Sequence, residues 1–147
     1  MDISKRIKVI YILGSGHCGS TLIDLIMDSH SKIVGVGELT NWPFSAEKQS
    51  KIICTCGKPL SKCSFWQEVF KNIPDELQFS IPRLEIHRKK IDFLLNRKRY
   101  VFAPDKVKKV DLVKYLKLNQ IIYKNISTLS GKKIIFDSSK DVDRANV

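Results

Sequence analysis

Residues Gly14, Ser15, Gly16, His17, Cys18, Gly19, Ser20 and Thr21 have the frame of a phosphate-binding loop: glycines at 14 and 19, then two small hydroxylated residues. Glycine tolerates positive φ and lets a backbone approach a ligand closely. The N–H groups that open a following helix then face an anion, with the helix dipole behind them. The hydroxyls of Ser20 and Thr21 add two donors. A nucleotide triphosphatase needs a lysine immediately before its final Ser/Thr to reach the β- and γ-phosphates. Here that position is Ser20, which disfavours conventional ATPase or GTPase chemistry. Gly14, Gly16 and Gly19 also fit a dinucleotide loop. The acid about 20 residues further on would then be Glu38, poorly placed after Gly37.

A second chemical cluster is made of cysteines. The chain has four: Cys18, Cys54, Cys56 and Cys63. The last three admit two readings. They could bind zinc with a distant fourth ligand, such as Cys18 or a histidine, although the one-residue gap between Cys54 and Cys56 is tighter than the usual spacing. Alternatively they form a compact turn with buried thiols, anchored to the core by Phe65 and Trp66. The spacing favours the turn, and no metal is expected. Lys5, Arg6 and Lys8 precede only a short apolar run without a small-residue cleavage site, unlike a signal peptide. Reduced thiols and a cytoplasmic location are expected.

The elements that position these residues follow from hydrophobic patterning. Residues 7–13 form a β-branched run with little alternation, as a strand buried on both faces does. Residues 22–29 are spaced as a helix, with Leu22, Leu25, Ile26 and Ser29 on one face and Asp24 and Asp28 one turn apart. Residues 33–36 make a short second strand that ends at Gly37-Glu38. Residues 65–70 suggest a short helix capped by Ser64, and residues 83–95 another. Residues 105–129 are the longest periodic segment. Leu112, Leu116, Leu118, Ile122, Ile126 and Leu129 form its stripe, with Val113 and Ile121 outside it. Gly131 is its C-terminal cap. Residues 132–136 read as a buried strand ending at Asp137-Ser138-Ser139-Lys140, and residues 141–147 begin what could be another helix. Asn125-Ile126-Ser127 is a glycosylation triplet inside an apolar-periodic stretch and is read as chance.

Strands alternating with helices imply an α/β fold with a mostly parallel sheet. Ligands bind such sheets beyond the carboxyl ends of the strands. The glycine loop, Glu38 and residues 137–140 all follow predicted strands, so they should converge on one edge. The 147 residues are 43% hydrophobic and 28% charged, a globular composition. No apolar run approaches the ~20 residues of a transmembrane segment. The net charge of +11 is uneven. Residues 1–76 carry nine Lys/Arg against eight Asp/Glu, and residues 77–147 carry 17 against seven. That basic half could attract an anionic nucleotide, or it could be a solvated lysine-rich helix face. Its clusters, such as Arg88-Lys89-Lys90 and Arg97-Lys98-Arg99, lack interleaved aromatics, so no nucleic acid is expected as a partner.

The run His17-Cys18-Gly19-Ser20-Thr21-Leu22 resembles the 5′-phosphosulfate loop of the sulfotransferases. Ser29-His30 fits a Ser-His pair found there a few turns later. Residues 35–39 resemble the Gly-Glu stretch that supplies a catalytic carboxylate in the tyrosylprotein-type branch. Residues 134–140 resemble a strand end where bacterial members carry Asp-Ser-Ser-Lys. The pattern Cys54-x-Cys56-Gly57 with Cys63-x-Phe65-Trp66 is similar to an insert in some bacterial members.

The resemblance implies a P-loop-containing nucleotide hydrolase-like three-layer α/β fold. It also implies one domain over residues 1–147, with residues 40–75 a cysteine-containing insert. The implied donor is 3′-phosphoadenosine 5′-phosphosulfate, and the acceptor is a hydroxyl or amine on a small molecule, glycan or peptide. Residues 14–21 would hold the 5′-phosphate, Glu38 would be the general base and Lys140 would stabilise the sulfuryl group or bridging oxygen. His17 stands where the family has Lys or Arg. A histidine is charged only part of the time near neutrality, but its ring can still donate a hydrogen bond. His30 and His87 read as structural. The residues that read the donor's 3′-phosphate would lie beyond Val147, and Arg144 is too early for that role, so the fold is expected to be incomplete at the C-terminus. The rival readings are a P-loop nucleotide-dependent phosphotransferase using magnesium triphosphate, a non-enzymatic basic anion-binding module, and a degenerate, inactive fragment.

Overall fold

The computed structural model describes residues 6–42, 46–71, 73, 74, 77 and 109–140. Three strands, β1 (Lys8–Leu13), β2 (Ile33–Gly35) and β3 (Ile134–Lys140), form an open sheet in the order β1-β3-β2. Both pairings are parallel, with Ile10 opposite Phe136 and Val34 opposite Ile135. Among the described residues four α-helices accompany them: α1 (Ser20–Asp28), α2 (Ala46–Lys51), α3 (Ser64–Lys71) and α4 (Lys109–Ser130). The fold is thus mixed α/β with an all-parallel sheet. Among the described residues no helix is long and apolar enough to cross a membrane. The expected helix at 83–95 with His87, both basic clusters and residues 141–147 with Arg144 lie outside the described residues.

The core lies where α3 and α4 pack on the sheet. Ile126 and Val69 are fully buried, and Leu118, Ile122, Trp66, Val34 and Ile135 close around them. Trp42 stacks on Phe70 at 4.5 Å between centroids and meets Trp66 at 4.6 Å. This aromatic cluster ties the segment after β2 to α3. The Asn125 amide donates to the Val69 carbonyl at 2.9 Å, and Ser127 Oγ donates to the Lys132 carbonyl at 2.8 Å. The Asn-Ile-Ser triplet is therefore used inside α4 as a packing and hydrogen-bonding element. Gly131 follows the helix with φ 69°, the left-handed geometry that a C-terminal cap requires.

Several expectations are corrected. β1 is not buried on both faces: Val9, Ile10 and Leu13 are exposed. Only β3 neighbours β1 among the described residues, so β1 is the edge strand there and β3 is the central one. The stripe of α1 is likewise exposed, with Leu22 at 64% and Ile26 at 59%. The buried residue of that helix is Ser20. In α4 the expected Leu118, Ile122 and Ile126 are buried, but Ile121 also packs against the core and Leu129 is exposed. Ser64 is the first residue of α3 rather than its cap; Cys63 precedes the helix, and its carbonyl accepts from the Gln67 N–H at 2.9 Å.

The largest difference is in β3, which runs on to Lys140 instead of stopping at Phe136. Asp137, Ser138 and Ser139 are strand residues and buried. Asp137 and Ser139 remain in the sheet because their polar side chains are satisfied. Asp137 accepts hydrogen bonds from the Tyr123 hydroxyl at 2.7 Å, the Ser139 N–H at 3.0 Å and the Ser139 hydroxyl. A buried carboxylate with such partners is tolerated; an unpartnered one would not be.

Candidate functional site

In a parallel sheet the carboxyl ends of all strands share one edge, and here that edge carries the glycine loop, Glu38 and Lys140. The loop turns sharply from β1 into α1. His17 and Gly19 both have positive φ, at 61° and 79°. Gly19 is the residue before the helix, and its carbonyl accepts from the Leu22 and Ile23 N–H groups at 3.0 and 3.2 Å. The N–H groups of Ser20 and Thr21 come before any possible intrahelical acceptor, as at every helix start. Gly14, Ser15, Gly16, His17, Cys18 and Thr21 are exposed, whereas Ser20 is buried.

Glu38 is placed by an extension of the β2–β3 pairing beyond the strand itself. The Val36 N–H donates to the Phe136 carbonyl, and the Ser138 N–H donates to the Gly37 carbonyl, both at 3.0 Å. The Thr40 N–H donates to Ser139 Oγ at 3.1 Å. Gly37 turns the chain with φ 65°. Together these bonds set Glu38 opposite the end of β3.

Lys140 closes the arrangement. Its Nζ donates to Ser20 Oγ at 2.9 Å and pairs with Glu38 Oε1. It therefore joins three strand ends: the loop after β1, the segment after β2 and the end of β3. Lys140 itself has φ 64°, an uncommon conformation for a side-chain-bearing residue. Strained backbone of this kind costs of order 1–3 kcal/mol and persists where the surroundings over-determine it. The Lys140 side chain is only 15% exposed, and that of Glu38 33%. Of the three catalytic candidates, Glu38 and Lys140 are in contact. His17 stands on the exposed rim of the loop.

Sequence reasoning missed Asp24, which supports the site from α1. Its Oδ1 accepts from the Gly37 N–H at 3.3 Å. Burial pushes its carboxyl from the ordinary 3.8 up to about 6, and the nearby carboxylates of Asp28 and Asp137 add to the rise against the lowering effect of Gly37. Asp28 makes the companion bond, accepting from the Gly35 N–H at 2.8 Å. The i, i+4 spacing of the two acids is visible in the sequence. Their common target, the backbone of residues 35–37, is visible only once α1 lies against β2. That approach is close: a Cβ on Gly35 would come within 2.9 Å of Asp28 Cβ and 3.1 Å of the Asp24 carbonyl oxygen. His30 has the structural part expected of it, its Nδ1 accepting from the Lys32 N–H at 3.1 Å.

Cys18 belongs to the glycine loop, whereas Cys54, Cys56 and Cys63 gather in the segment around α3. Ile53 and Pro59 form an antiparallel bridge, and the Cys54 N–H donates to the Lys58 carbonyl at 2.8 Å. Gly57 completes the turn with φ 79°. Cys63 joins them from the foot of α3. Cys56–Cys63 and Cys54–Cys63 sulfurs are each 3.7 Å apart, and all three lie within 4.8 Å of one another. The expectation of buried thiols holds for Cys63 alone: Cys54 is half-buried and Cys56 exposed. Trp66 anchors the segment in the core, and Phe65 packs against it.

The edge therefore has a positively charged amine held between a hydroxyl and a carboxylate, beside a helix start rich in glycine. Such an arrangement can bind an anionic oxygen and accept a proton near it. No protein-family model, curated protein or solved structure matches the chain.

Proposed function

We propose that this chain is a sulfotransferase domain of the P-loop-like, three-layer kind, acting on a hydroxyl or amine acceptor with 3′-phosphoadenosine 5′-phosphosulfate as donor. The observation that carries this reading is the position of Lys140, whose Nζ donates to Ser20 and pairs with Glu38 at the mouth of the glycine loop. A triphosphatase loop supplies its cation from the residue before the final Ser/Thr. Here Ser20 occupies that position, and the cation comes from β3 instead.

The donor, when bound, supplies an activated sulfuryl group. The amides at the start of α1 and the hydroxyls of Ser20 and Thr21 hold the 5′-phosphate. Lys140, as a point charge on a flexible stem, balances charge on the sulfuryl oxygens or the bridging oxygen. Glu38 takes the proton that the acceptor hydroxyl loses. His17 donates a hydrogen bond from the loop rim. Gly19, Gly37 and the Asp24–Gly37 bond hold the two strand-end turns in register for this task.

The test is calorimetric titration of the full chain with 3′,5′-adenosine bisphosphate, with ATP plus magnesium as the paired measurement. Binding of the bisphosphate is expected. The double change Ser20→Ala, Thr21→Ala should weaken it at least tenfold, with far-ultraviolet circular dichroism unchanged. Preference for ATP with magnesium would replace this reading with the phosphotransferase. Binding that falls steeply with salt yet survives the double change would replace it with a non-specific basic module. Binding of neither nucleotide would refute it for this chain.

A further inference from the structure

The cysteine cluster serves no step of the proposed chemistry, and its geometry has its own meaning. A tetrahedral zinc ion bound by thiolates at about 2.3 Å sets neighbouring sulfurs about 3.8 Å apart, the edge of the tetrahedron. Cys56–Cys63 and Cys54–Cys63 stand at 3.7 Å. The third pair closes the triangle within 4.8 Å. A disulfide would consume two sulfurs and leave the third unpaired in the same triangle. Three sulfurs converging from a hairpin and a helix start make one face of a metal tetrahedron.

The backbone that presents these sulfurs is itself fixed. The Cys54 N–H donates to the Lys58 carbonyl and the Gly57 N–H to the Cys54 carbonyl, both at 2.8 Å. Gly57, at φ 79°, turns the chain back directly after Cys56. Cys63 immediately precedes α3, and its carbonyl accepts from the Gln67 N–H at 2.9 Å. A closed turn and a helix start therefore hold the three thiols in one triangle.

We infer that Cys54, Cys56 and Cys63 form a zinc site with three protein thiolates and a fourth, solvent-facing position beside Cys56. The ion replaces three thiol protons, which leave to solvent, and no redox step is involved. Its part is to staple residues 46–71. Ahead of α3 this region contains a six-residue helix, one isolated bridge and a short 3-10 turn at Leu60–Lys62. Such a segment gains most of its fixed geometry from a cross-link. Through Trp66 and the Trp42 stack, the staple also fixes the chain leaving Glu38.

The experiment is metal analysis of the full chain purified under reducing conditions, followed by cobalt substitution. One zinc per chain is expected. Cobalt should give the intense visible bands of a tetrahedral ion together with thiolate-to-metal charge transfer. In the unaltered chain, zinc should protect three of the four thiols from alkylation, and a chelator should expose them. Cys56→Ser, at an exposed position, should lower zinc affinity at least tenfold, while Cys18→Ser should leave the stoichiometry at one. A reduced chain that retains no zinc, shows only weak octahedral cobalt bands and alkylates at all four thiols regardless of added zinc would overturn the proposal. Undiminished zinc binding in both Cys56→Ser and Cys54→Ser would overturn it as well. None of these readouts involves a nucleotide, so they stand or fall separately from the sulfotransferase reading.

Discussion

Ionisation of Asp24 works against the fold, and Asp24→Asn should expose this. Burial is the main reason its pKa rises from 3.8 to about 6. Unscreened, that rise would correspond to about 3 kcal/mol. The carboxyl is only half-buried, so solvent screening reduces the figure to about 1–1.5 kcal/mol. The sign follows from the direction of the shift. The folded state binds the proton more tightly than the unfolded state, so the contribution is fully present below about pH 4. It is lost as pH rises towards 6, and above that the charged Asp24 is a fixed penalty. Asparagine removes the charge and keeps an oxygen to accept the Gly37 N–H, which Asp24 now binds at 3.3 Å. The variant should therefore be more stable by about 1–1.5 kcal/mol at pH 7.5, or roughly 4–6 °C in Tm for a domain of this size. The difference should shrink between pH 6.5 and 4. Urea unfolding followed by tryptophan fluorescence suits the measurement, since Trp66 is buried and Trp42 stacks on Phe70. Parallel pH profiles for the two proteins, or a variant less stable at pH 7.5, would show that the Asp24 charge does not oppose folding.

Three further outcomes are expected. Gly35→Ala should cost about 1–3 kcal/mol by overpacking, because the new methyl meets the α1 backbone; chemical denaturation reads it, and a neutral result would mean that α1 does not lie so close to β2. Tyr123→Phe removes one donor from the buried Asp137 carboxylate and should cost about 1–3 kcal/mol at neutral pH. Glu38→Gln should abolish acceptor-dependent sulfuryl transfer while leaving 3′,5′-adenosine bisphosphate binding within a few-fold; single-turnover transfer at the normal rate would remove Glu38 as the base.

What the sequence made legible is mostly local. The glycine loop between a strand and a helix depends on residues that touch along the chain, and so does the Gly131 cap. Both are present where the pattern put them. The shared edge followed from one non-local rule, that parallel strands point their carboxyl ends the same way. The burial of β1 and α1 was not legible. An unalternating apolar run reads the same in an edge strand and a central one, and only the order β1-β3-β2 distinguishes them. The sulfur triangle was hidden for a similar reason. A gap of one residue between Cys54 and Cys56 looks wrong for a metal until the Ile53–Pro59 bridge folds the pair back towards the foot of α3.

The length of β3 shows why the site itself was half visible. Residues 137–139 read as a polar stop, since aspartate and serine favour turns over strands. They continue the strand because distant groups satisfy them: Tyr123 from α4 reaches Asp137, and the Thr40 N–H reaches Ser139. Each of those bonds joins the strand to an element that cannot be found by reading along residues 132–140. Yet the reach of Lys140 depends on them. A strand ending at Phe136 would leave Lys140 on a free loop, with no reason to sit between Ser20 and Glu38. The extra residues, held on both sides, bring it level with Leu13, after a register shift in β1 between Tyr11 and Leu13. The lysine then reaches its two partners with φ 64° at its own backbone. The polar stretch that seems to end the strand is therefore what delivers Lys140 to Ser20 and Glu38.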